Sequence, residues 1–261
     1  MKIRDIVAPI EAVAPLGWQA SYDNAGLIVG RPDDEVDAVL LAVDVTEEVV
    51  AEAVAKGCGL IITHHPIIFH PLKRLNSASV VERCVEQAIR HGIALYACHT
   101  NLDSAPEGMS FRMAAWLGVQ NPTLLEPADR EATYGFGVVG ELAEKRSTED
   151  YLRFVKERLG CGAIRHSRIA SSEVHRVAIC TGAGASMIPL AQRAEADLYI
   201  TADLKYNDFM APERGLTVAD VGHFESEYCA IEILFDILSK KICTFAVLRS
   251  EASSNPINYL V

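Results

Sequence analysis

The stretch AVLLAVDVTEEVVAEAVAKGCGLIIT, residues 38–63, has an apolar run of strand length at each end and a helical pattern between them. Thr46 suits the N-cap of that helix, and Gly57 suits its end. The predicted apolar stripe of the helix consists of Val49, Val50 and Val54. A strand, a helix and a second strand in this order predict two parallel strands joined by a crossover helix. The stretch therefore favours an α/β fold.

Similar patterns continue on both sides of this stretch. The N-terminal segment MKIRDIVAPIEAVAP has the apolar spacing of an amphipathic helix. Further apolar runs of strand length alternate with helical patterns along the rest of the chain. The predicted strands lie near 38–44, 59–64, 93–99, 135–142, 174–181, 196–202 and 216–221. The predicted helices beyond the first two lie near 147–159, 186–195 and 225–240.

A second stretch, RVAICTGAGASMIPLAQRAEADLYIT at 176–201, aligns with residues 38–63 without a gap. Asp44 then aligns with Gly182. We infer an internal duplication, although any two strand-helix-strand units of equal length share an apolar pattern. In this alignment the positions of His64 and His65 correspond to Ala202 and Asp203. The sequence thus predicts two similar α/β domains with mixed, largely parallel sheets, of which one carries the paired histidines.

The segment NPTLLEPADREA concentrates proline and charge between two periodic regions, which predicts a domain boundary near 122–130. The last helix and strand are expected to return to the first domain. The predicted division is a metal-site domain of residues 1–125 plus 223–261 and a second domain of residues 126–222.

Composition excludes several classes of function. The chain has 261 residues, of which 50% are hydrophobic, so it can bury a sizeable core. A formal charge of −11 without a dense basic run argues against binding to a nucleic-acid backbone. No uncharged apolar stretch is long enough for a membrane span, and the N-terminus lacks the apolar centre of a signal peptide. A small-molecule substrate is the expected partner.

The cysteines indicate a reducing compartment. Seven of them are scattered along the chain without any CxxC pair, mostly inside apolar runs. Reduced, buried thiols are typical of a cytoplasmic protein. We therefore expect a cytoplasmic location, with the thiols at positions 58, 84, 98, 161, 180, 229 and 243.

The motif IITHHP places two adjacent imidazoles at the end of a buried strand. Pro66 holds His65 in an extended conformation. Adjacent strand residues point to opposite faces, but a turn at the strand end can aim both rings into the crevice where ligands of α/β sheets bind. The alternative is a hydrogen-bonded pair of histidines on the protein surface.

Two further strand ends carry histidine with a carboxylate. His99 and Asp103 are four residues apart in HTNLD, where Asp103 either binds a metal or caps the following helix. His223 and Glu227 have the same spacing in GHFESE, which places both on one helical face. There, the acidic residues either bind a metal or stabilise the helix dipole, and Glu225 competes with Glu227 for the metal role.

Other polar positions allow simpler interpretations. Asp23 and Asn24 either line a ligand cavity or form an ordinary turn. The TGAGAS segment resembles a phosphate cradle but lacks GxGxxG spacing and a P-loop lysine, which favours a tight turn. The residues His70, Lys73 and Arg74 offer positive charge to an anionic substrate, although a solvated loop accounts for them better.

The order and spacing of six motifs resemble the NIF-three-like family, whose members are also called type 2 homologues of GTP cyclohydrolase I. These motifs span nearly the whole chain. They are SYDNAGLIVG (21–30), ITHHP (62–66), HTNLD (99–103), TGAGAS (181–186), YITADLKY (199–206) and GHFESE (222–227). Two positions depart from the family pattern, because Ala202 replaces a glycine and Asn207 replaces a histidine.

The resemblance implies a specific metal site. It implies two divalent metal ions bound by His64, His65, Asp103, His223 and Glu227, with both carboxylates as bridges. His99 would be adjacent and is the candidate catalytic residue. The resemblance further implies a ring-like homohexamer.

Two classes of function are compatible with these residues. A dinuclear metal-dependent hydrolase would use the open coordination positions to act on a nucleotide or phosphoester. A non-enzymatic ring protein would instead bind, store or deliver metal, or serve a regulatory role. Imidazole and carboxylate ligands suit Zn, Fe, Mn or Co alike, so the sequence does not select the metal.

Overall fold

The computed structural model describes residues 1–210, 215–242 and 244–260. The chain divides into two compact units. The units are named for their places in the sequence: the first, here called the outer unit, comprises Met1–Ala105 and Ala230–Ser254, and the second, the central unit, comprises Pro106–Cys229 and the chain from Asn255 onward. Among the described helices, none has the length and apolar character needed to cross a membrane.

The outer unit is a mostly parallel sheet flanked by helices. Its elements before the central unit are α1 (Ile3–Val13), β1 (Gly26–Val29), β2 (Ala38–Ala42), α2 (Glu47–Lys56), β3 (Leu60–Thr63), α3 (Val80–Arg90), β4 (Ala94–Ala97) and α4 (Thr100–Asp103). Within the described residues the sheet has five strands in the order β1-β4-β3-β2-β11, where β11 is Ala246–Arg249 near the C-terminus. Among the described strands of this sheet, only β1 runs antiparallel to its neighbour.

Helix α2 follows the sequence prediction at both ends. The Thr46 side chain accepts a hydrogen bond from the Val49 amide, and Gly57 ends the helix in a left-handed conformation with φ 67°. The predicted apolar stripe was wrong at one position. Val54 is 41% exposed, and Ala53 takes its place in the core because the buried face turns toward the strands along positions 49, 50 and 53.

The central unit contains the second sheet. Its elements are α5 (Met109–Trp116), β5 (Val119–Pro127), β6 (Gly135–Ser147), α6 (Thr148–Leu159), β7 (Arg165–His166), β8 (Glu173–Ala183), α7 (Ile188–Arg193), β9 (Leu198–Ala202), β10 (Thr217–Asp220) and α8 (His223–Glu227). Over the described residues its six strands have the order β5-β6-β8-β9-β10-β7. Strands β8, β9 and β10 are parallel, and the others pair antiparallel.

Both faces of the central sheet are covered by apolar side chains. Val177 and Ile179 of β8 belong to one buried cluster, whereas Ala178 and Cys180 belong to another. This alternation follows from the two-residue period of a strand. A sheet buried on both sides accounts for the apolar runs that the sequence shows at these strands.

The two strand-helix-strand units begin with the same register. Strand β2 pairs with β3 so that Val39 lies opposite Leu60, and β8 pairs with β9 so that Val177 lies opposite Leu198, a separation of 21 residues in both pairs. The register of β8 shifts after Ile179, so that Ala183 lies opposite Ala202, 19 residues away. The gapless alignment of the two stretches predicts this equality. Two α/β units with mixed sheets, as the sequence predicted, are therefore present.

The unit boundaries differ from the predicted domain bounds of 1–125 plus 223–261 and 126–222. The chain enters the central unit at Pro106 and leaves it after Cys229. The proline-rich segment near 122–130 mostly belongs to β5, which is an edge strand. Proline and charge are tolerated at a sheet edge, because one side of the strand needs no ladder hydrogen bonds.

Two predicted helices are interrupted. The helix predicted near 225–240 consists of α8 and a separate helix α9 (Cys229–Lys241), so it divides where the chain passes between the units. The helix predicted near 186–195 starts as a 3₁₀ turn at Ala185–Met187 and continues as α7, which has Pro189 in its first turn.

The cysteine prediction is confirmed for the part of the chain that the structure describes. The thiols that are buried without a disulfide bond are Cys58, Cys84, Cys98, Cys161, Cys180 and Cys229. Burial raises the pKa of Cys84 to about 11 and of Cys161 to about 12, so these thiols are unreactive at neutral pH. Cys243 lies outside the described residues.

Candidate metal centre

The paired histidines follow β3 in the outer unit. The ladder continues past the strand, since the His64 and His65 amides donate to the carbonyls of Ala42 and Val43. The Thr63 hydroxyl donates to the His65 carbonyl at 2.7 Å, which fixes the turn. The two imidazole centroids lie 5.0 Å apart. Both rings therefore occupy the same region, as the sequence predicted.

His99 joins this pair from the end of β4. Its ring centroid lies 5.2 Å from that of His64 and 5.4 Å from that of His65. One ligand atom from each of the three imidazoles lies within 4.8 Å of the others. His64 is buried, whereas the other two are partly exposed, so the cluster is open on one side.

The His99 ring is held by Asp23, a residue that sequence reasoning left between cavity lining and turn chemistry. The Nδ1 atom of His99 lies 2.7 Å from Oδ1 of Asp23. The Thr100 amide donates to Oδ2 of the same carboxylate at 3.0 Å. Burial of Asp23 opposes its ionisation, but hydrogen bonds from His99, Thr100 and the Asn24 amide lower its pKa to about 2. Asp23 is thus an anion at neutral pH.

Asp103 lies next to His64. Its Oδ1 atom is 3.6 Å from Nε2 of His64, and the Nδ1 atom of that ring lies 2.9 Å from the carbonyl oxygen of Cys98. The alternative interpretation of Asp103 as a helix cap is wrong. Asp103 is the last residue of α4, and α5 has Gly108 at its N-cap without a side-chain cap hydrogen bond.

The central unit brings His223 and Glu227 together on α8. The distance between Nε2 of His223 and Oε2 of Glu227 is 2.9 Å, while Nδ1 of His223 lies 2.8 Å from Oδ2 of Asp203. Burial disfavours the imidazolium, but the two carboxylates outweigh it and raise the pKa of His223 to about 9. In the absence of a metal ion, His223 is therefore protonated at neutral pH and lies between the carboxylates of Glu227 and Asp203.

The competing carboxylate, Glu225, lies against Gly222 at the start of α8. A Cβ atom at Gly222 would collide with the Glu225 carboxylate, so Glu225 folds back over the start of α8. Among the described residues, the potential metal-binding groups include Glu227 but not Glu225. The structure thus distinguishes two acidic residues that the sequence left as alternatives.

The TGAGAS segment shapes the Glu227 site. Gly182 has a left-handed φ of 64°, and a Cβ atom there would collide with Oε1 of Glu227. The Gly182 amide donates to the Ser226 hydroxyl at 2.9 Å. The segment is the predicted tight turn, and its glycine leaves space for a carboxylate.

All four candidate histidines share one geometry, which sequence reasoning missed. The Nδ1 atom of each faces an oxygen acceptor: the Cys98 carbonyl for His64, Asp44 for His65, Asp23 for His99 and Asp203 for His223. A carbonyl or carboxylate oxygen can only accept, so Nδ1 carries the proton in each neutral ring. The lone pair that can bind a metal is then on Nε2.

The donor set of the outer unit fits a divalent transition metal. Imidazole nitrogens combined with one carboxylate suit Zn, Fe, Mn and Co, and the fixed Nδ1–H tautomer is typical of metal-binding histidines. The histidine and carboxylate on α8 are ligands of the same types.

Comparisons with known proteins agree along the whole chain. A family model described as Duf34/NIF3 (NGG1p interacting factor 3) matches residues 1–256. A Lactococcus lactis protein named GTP cyclohydrolase 1 type 2 homolog is 34% identical over 98% of both chains. A protein of the same name from Clostridium perfringens is 33% identical over 87% of both chains.

Solved structures show the same fold. A Staphylococcus aureus protein has a TM-score of 0.91 and 28% identity, with 100% of this chain and 99% of that chain covered. Reduced HcgD from Methanocaldococcus jannaschii has a TM-score of 0.81 and 26% identity, with 96% and 98% covered. From its match to the family model and its identity with these relatives, the chain belongs to the Duf34/NIF3 family.

Proposed function

We propose that the chain is a hydrolase that depends on two divalent metal ions and acts on a nucleotide or phosphoester. The proposed ligands are His64, His65, Asp103, His223 and Glu227. The observation that supports this best is the imidazole cluster of the outer unit, in which every ring presents Nε2 because Nδ1 is bound.

The ligand count favours chemistry over a purely structural role. Five protein ligands for two ions leave coordination positions for substrate and water, whereas structural sites are usually closed by protein. When bound, divalent ions supply a water-derived nucleophile at neutral pH and polarise the bond under attack.

His99 is the proposed catalytic residue. The Asp23 carboxylate orients its ring through Nδ1, so Nε2 can hold or release a proton toward the leaving group. Asp23 is ionised at neutral pH, and its negative charge faces the Nδ1 atom of His99. This pair transfers a proton without itself being among the five proposed ligands.

Aromatic side chains beside His99 favour a substrate with a planar ring. The Phe69 ring lies 6.2 Å from the His99 ring and 6.3 Å from the Tyr22 ring. Phe69 is 40% exposed and Tyr22 is 68% exposed, so both present ring surface to solvent. Stacking on such rings suits a nucleobase better than a simple phosphoester.

Metal-loaded protein tests this proposal directly. Elemental analysis of protein purified without added metal should give close to two ions per chain. Loaded protein should hydrolyse GTP or generic phosphoesters, and the His64→Ala, Asp103→Ala double variant should lose that activity. Activity that survives removal of the ligands would exclude a hydrolase that depends on metal ions at this site. Bound metal without turnover would instead support a protein that binds or delivers metal.

The proposal includes a homohexamer in the cytoplasm. The family resemblance supports the assembly, and the buried thiols without disulfide bonds support a reducing compartment. Sedimentation equilibrium at several protein concentrations measures the assembly, and a mass other than six chains would contradict it.

A further inference from the structure

Carboxylates reach two of the proposed ligand histidines from neighbouring strands. In the outer unit, Asp44 follows β2 and contacts His65 at the end of the adjacent strand β3. In the central unit, Asp203 follows β9 and contacts His223 just beyond the adjacent strand β10. Each unit therefore places a carboxylate behind a histidine by the same construction, at the carboxyl ends of two parallel neighbours.

The contact geometry is that of strong, oriented hydrogen bonds. Oδ1 of Asp44 lies 2.7 Å from Nδ1 of His65, and Oδ2 of Asp203 lies 2.8 Å from Nδ1 of His223. Distances in this range are typical of charge-assisted hydrogen bonds. Both carboxylates approach the ring nitrogen opposite Nε2, so neither occupies the atom that would bind a metal.

The backbone of Asp203 supports a specific role for its side chain. Its φ is 56°, a left-handed conformation that residues other than glycine rarely adopt. Asp203 immediately follows Ala202, at the position where this chain departs from the glycine of the family pattern. The contact with His223 is therefore made by the residue that follows this departure.

We propose that Asp44 and Asp203 are positioning residues for the metal ligands His65 and His223. They hold each ring in the Nδ1–H tautomer, aim Nε2 at the cation and increase its electron density. This inference rests on the proposed metal ligands. His64 provides an internal reference, because its Nδ1 is held by a backbone carbonyl that no side-chain substitution removes.

Two substitutions at each aspartate distinguish the effect of its acceptor oxygen on ring orientation from the effect of its negative charge. Asp44→Asn and Asp203→Asn keep an oxygen acceptor without the negative charge. Asp44→Ala and Asp203→Ala remove both. The matched control is Asp33→Asn, since Asp33 is an exposed carboxylate that pairs with Lys2 and Arg4.

The first measurement is Zn²⁺ affinity by competition with a chelator, for full-length protein of verified fold by circular dichroism. We expect the alanine variants to bind Zn²⁺ roughly 10- to 100-fold more weakly and the asparagine variants to recover part of the loss. The visible spectrum of bound Co²⁺ should shift in the alanine variants. Asp33→Asn should match the wild type in both measurements.

His65→Ala distinguishes failure of this inference from failure of the proposed site. If His65→Ala weakens Zn²⁺ binding but Asp44→Ala and Asp203→Ala leave affinity and the Co²⁺ spectrum unchanged, the positioning role is overturned and the site stands. If the wild type binds no Zn²⁺, both are overturned. In metal-free protein, ¹⁵N NMR should show the Nδ1–H tautomer of His65, and an unchanged tautomer in Asp44→Ala would also count against the inference.

Discussion

Gly182 is a residue whose missing side chain matters to the candidate site. Its backbone is left-handed, and the space that a Cβ would fill is taken by the Glu227 carboxylate. A substitution here acts on Glu227 without altering any proposed ligand. A substitution at Gly182 therefore tests how much the metal affinity depends on the position of the Glu227 carboxylate.

We expect Gly182→Ala to lower Zn²⁺ affinity at least about tenfold, because the new methyl group displaces Glu227. The left-handed backbone adds a stability cost of ~1–2 kcal/mol. Chelator competition measures the affinity, and urea unfolding measures the free energy of unfolding.

Gly160→Ala is the matched control for this substitution. Gly160 has φ 69°, and within the described part of the chain a methyl group at this position would extend into open space. The variant therefore carries the backbone strain without the collision. It should be destabilised to a similar extent but keep wild-type affinity. Equal affinity in both variants would show that Glu227 tolerates displacement.

Asp23→Asn should separate proton transfer from metal binding. The variant keeps an acceptor near His99 but loses the negative charge that faces Nδ1 of the ring, so we expect kcat to fall roughly 10- to 100-fold. Zn²⁺ content should stay at the wild-type level. A parallel loss of bound metal and kcat would place His99 among the ligands instead.

The proposed ligands were visible in the sequence, but their supporting carboxylates were not. Paired histidines and the four-residue spacing of His223 and Glu227 are local signals, and the structure brings each local group together. Asp44 and His65 are 21 residues apart, a separation that only strand pairing closes. The available signal was the position of Asp44 directly beyond an apolar strand, which is where ligand-site residues collect.

At the scale of elements, α2 is tied to the segment after β11 through Glu52. Its carboxylate accepts hydrogen bonds from the Lys56 side chain at 2.7 Å, the Ser250 hydroxyl at 2.5 Å and the Glu251 amide at 3.0 Å. The Ala252 amide donates to it as well. Burial opposes ionisation, but these donors lower the pKa of Glu52 to about 2. The Glu52 side chain thus connects α2 to the segment that follows β11.

We expect Glu52→Gln to lower the free energy of unfolding at pH 7 by ~1–3 kcal/mol, since a neutral amide accepts these hydrogen bonds less strongly. The folded-state pKa lies below the ordinary value of 4.5, so the stabilisation is complete above about pH 4.5 and is lost as the pH falls toward 2. Urea unfolding at pH 7 and pH 3 measures the difference between variant and wild type.

The difference should shrink at pH 3. Glu149→Gln is the control, because Glu149 is an exposed residue paired with Arg153 one helical turn away. It should change stability by less than about 0.5 kcal/mol at either pH. A Glu52→Gln deficit that is independent of pH would refute the role of the carboxylate charge.

Local sequence signals predicted where helices begin and end better than they predicted the break between α8 and α9. The cap and the end of α2 follow from Thr46 and Gly57, which act within one turn of the helix. The separation of α8 from α9 has no such signal, since Tyr228 between them keeps a helical conformation. That division coincides with the passage of the chain from one unit to the other, which local propensity does not encode.

At the scale of the whole molecule, the outer unit is assembled from two separate parts of the chain. Strand β11 pairs with β2, with Ala246 opposite Ala38 and Arg249 opposite Leu41. Helix α9 contributes buried side chains, including Ile231, Leu234 and Leu238. The C-terminal part thus completes a sheet begun more than two hundred residues earlier.

In a chain truncated after Tyr228, the amide protons of β2 should no longer be protected from exchange with solvent. It lacks the ladder from β11 and the apolar side chains of α9, so we expect fast amide exchange in β2 and loss of a cooperative unfolding transition for the outer unit. A chain truncated after Ser254 keeps both elements and should protect β2 as the wild type does. Slow exchange in the shorter chain would contradict this dependence.

The sequence predicted the return of the C-terminal elements but placed the first boundary about twenty residues late. Composition pointed to the proline-rich segment, which lies in the edge strand β5, whereas the passage at Ala105 lies between two short helices. Proline and charge mark both linkers and sheet edges, so composition alone does not distinguish them.

The two strand-helix-strand units share the register at the start of their strands but differ in the turn that follows the first strand. A chimera with residues 38–63 grafted in place of 176–201 would put Asp44 where Gly182 now stands. The incoming side chain would occupy the room that Glu227 uses, and two acidic groups would be forced together. The turn after the first strand is therefore specific to each unit, because the position of Glu227 requires a residue without a side chain at 182.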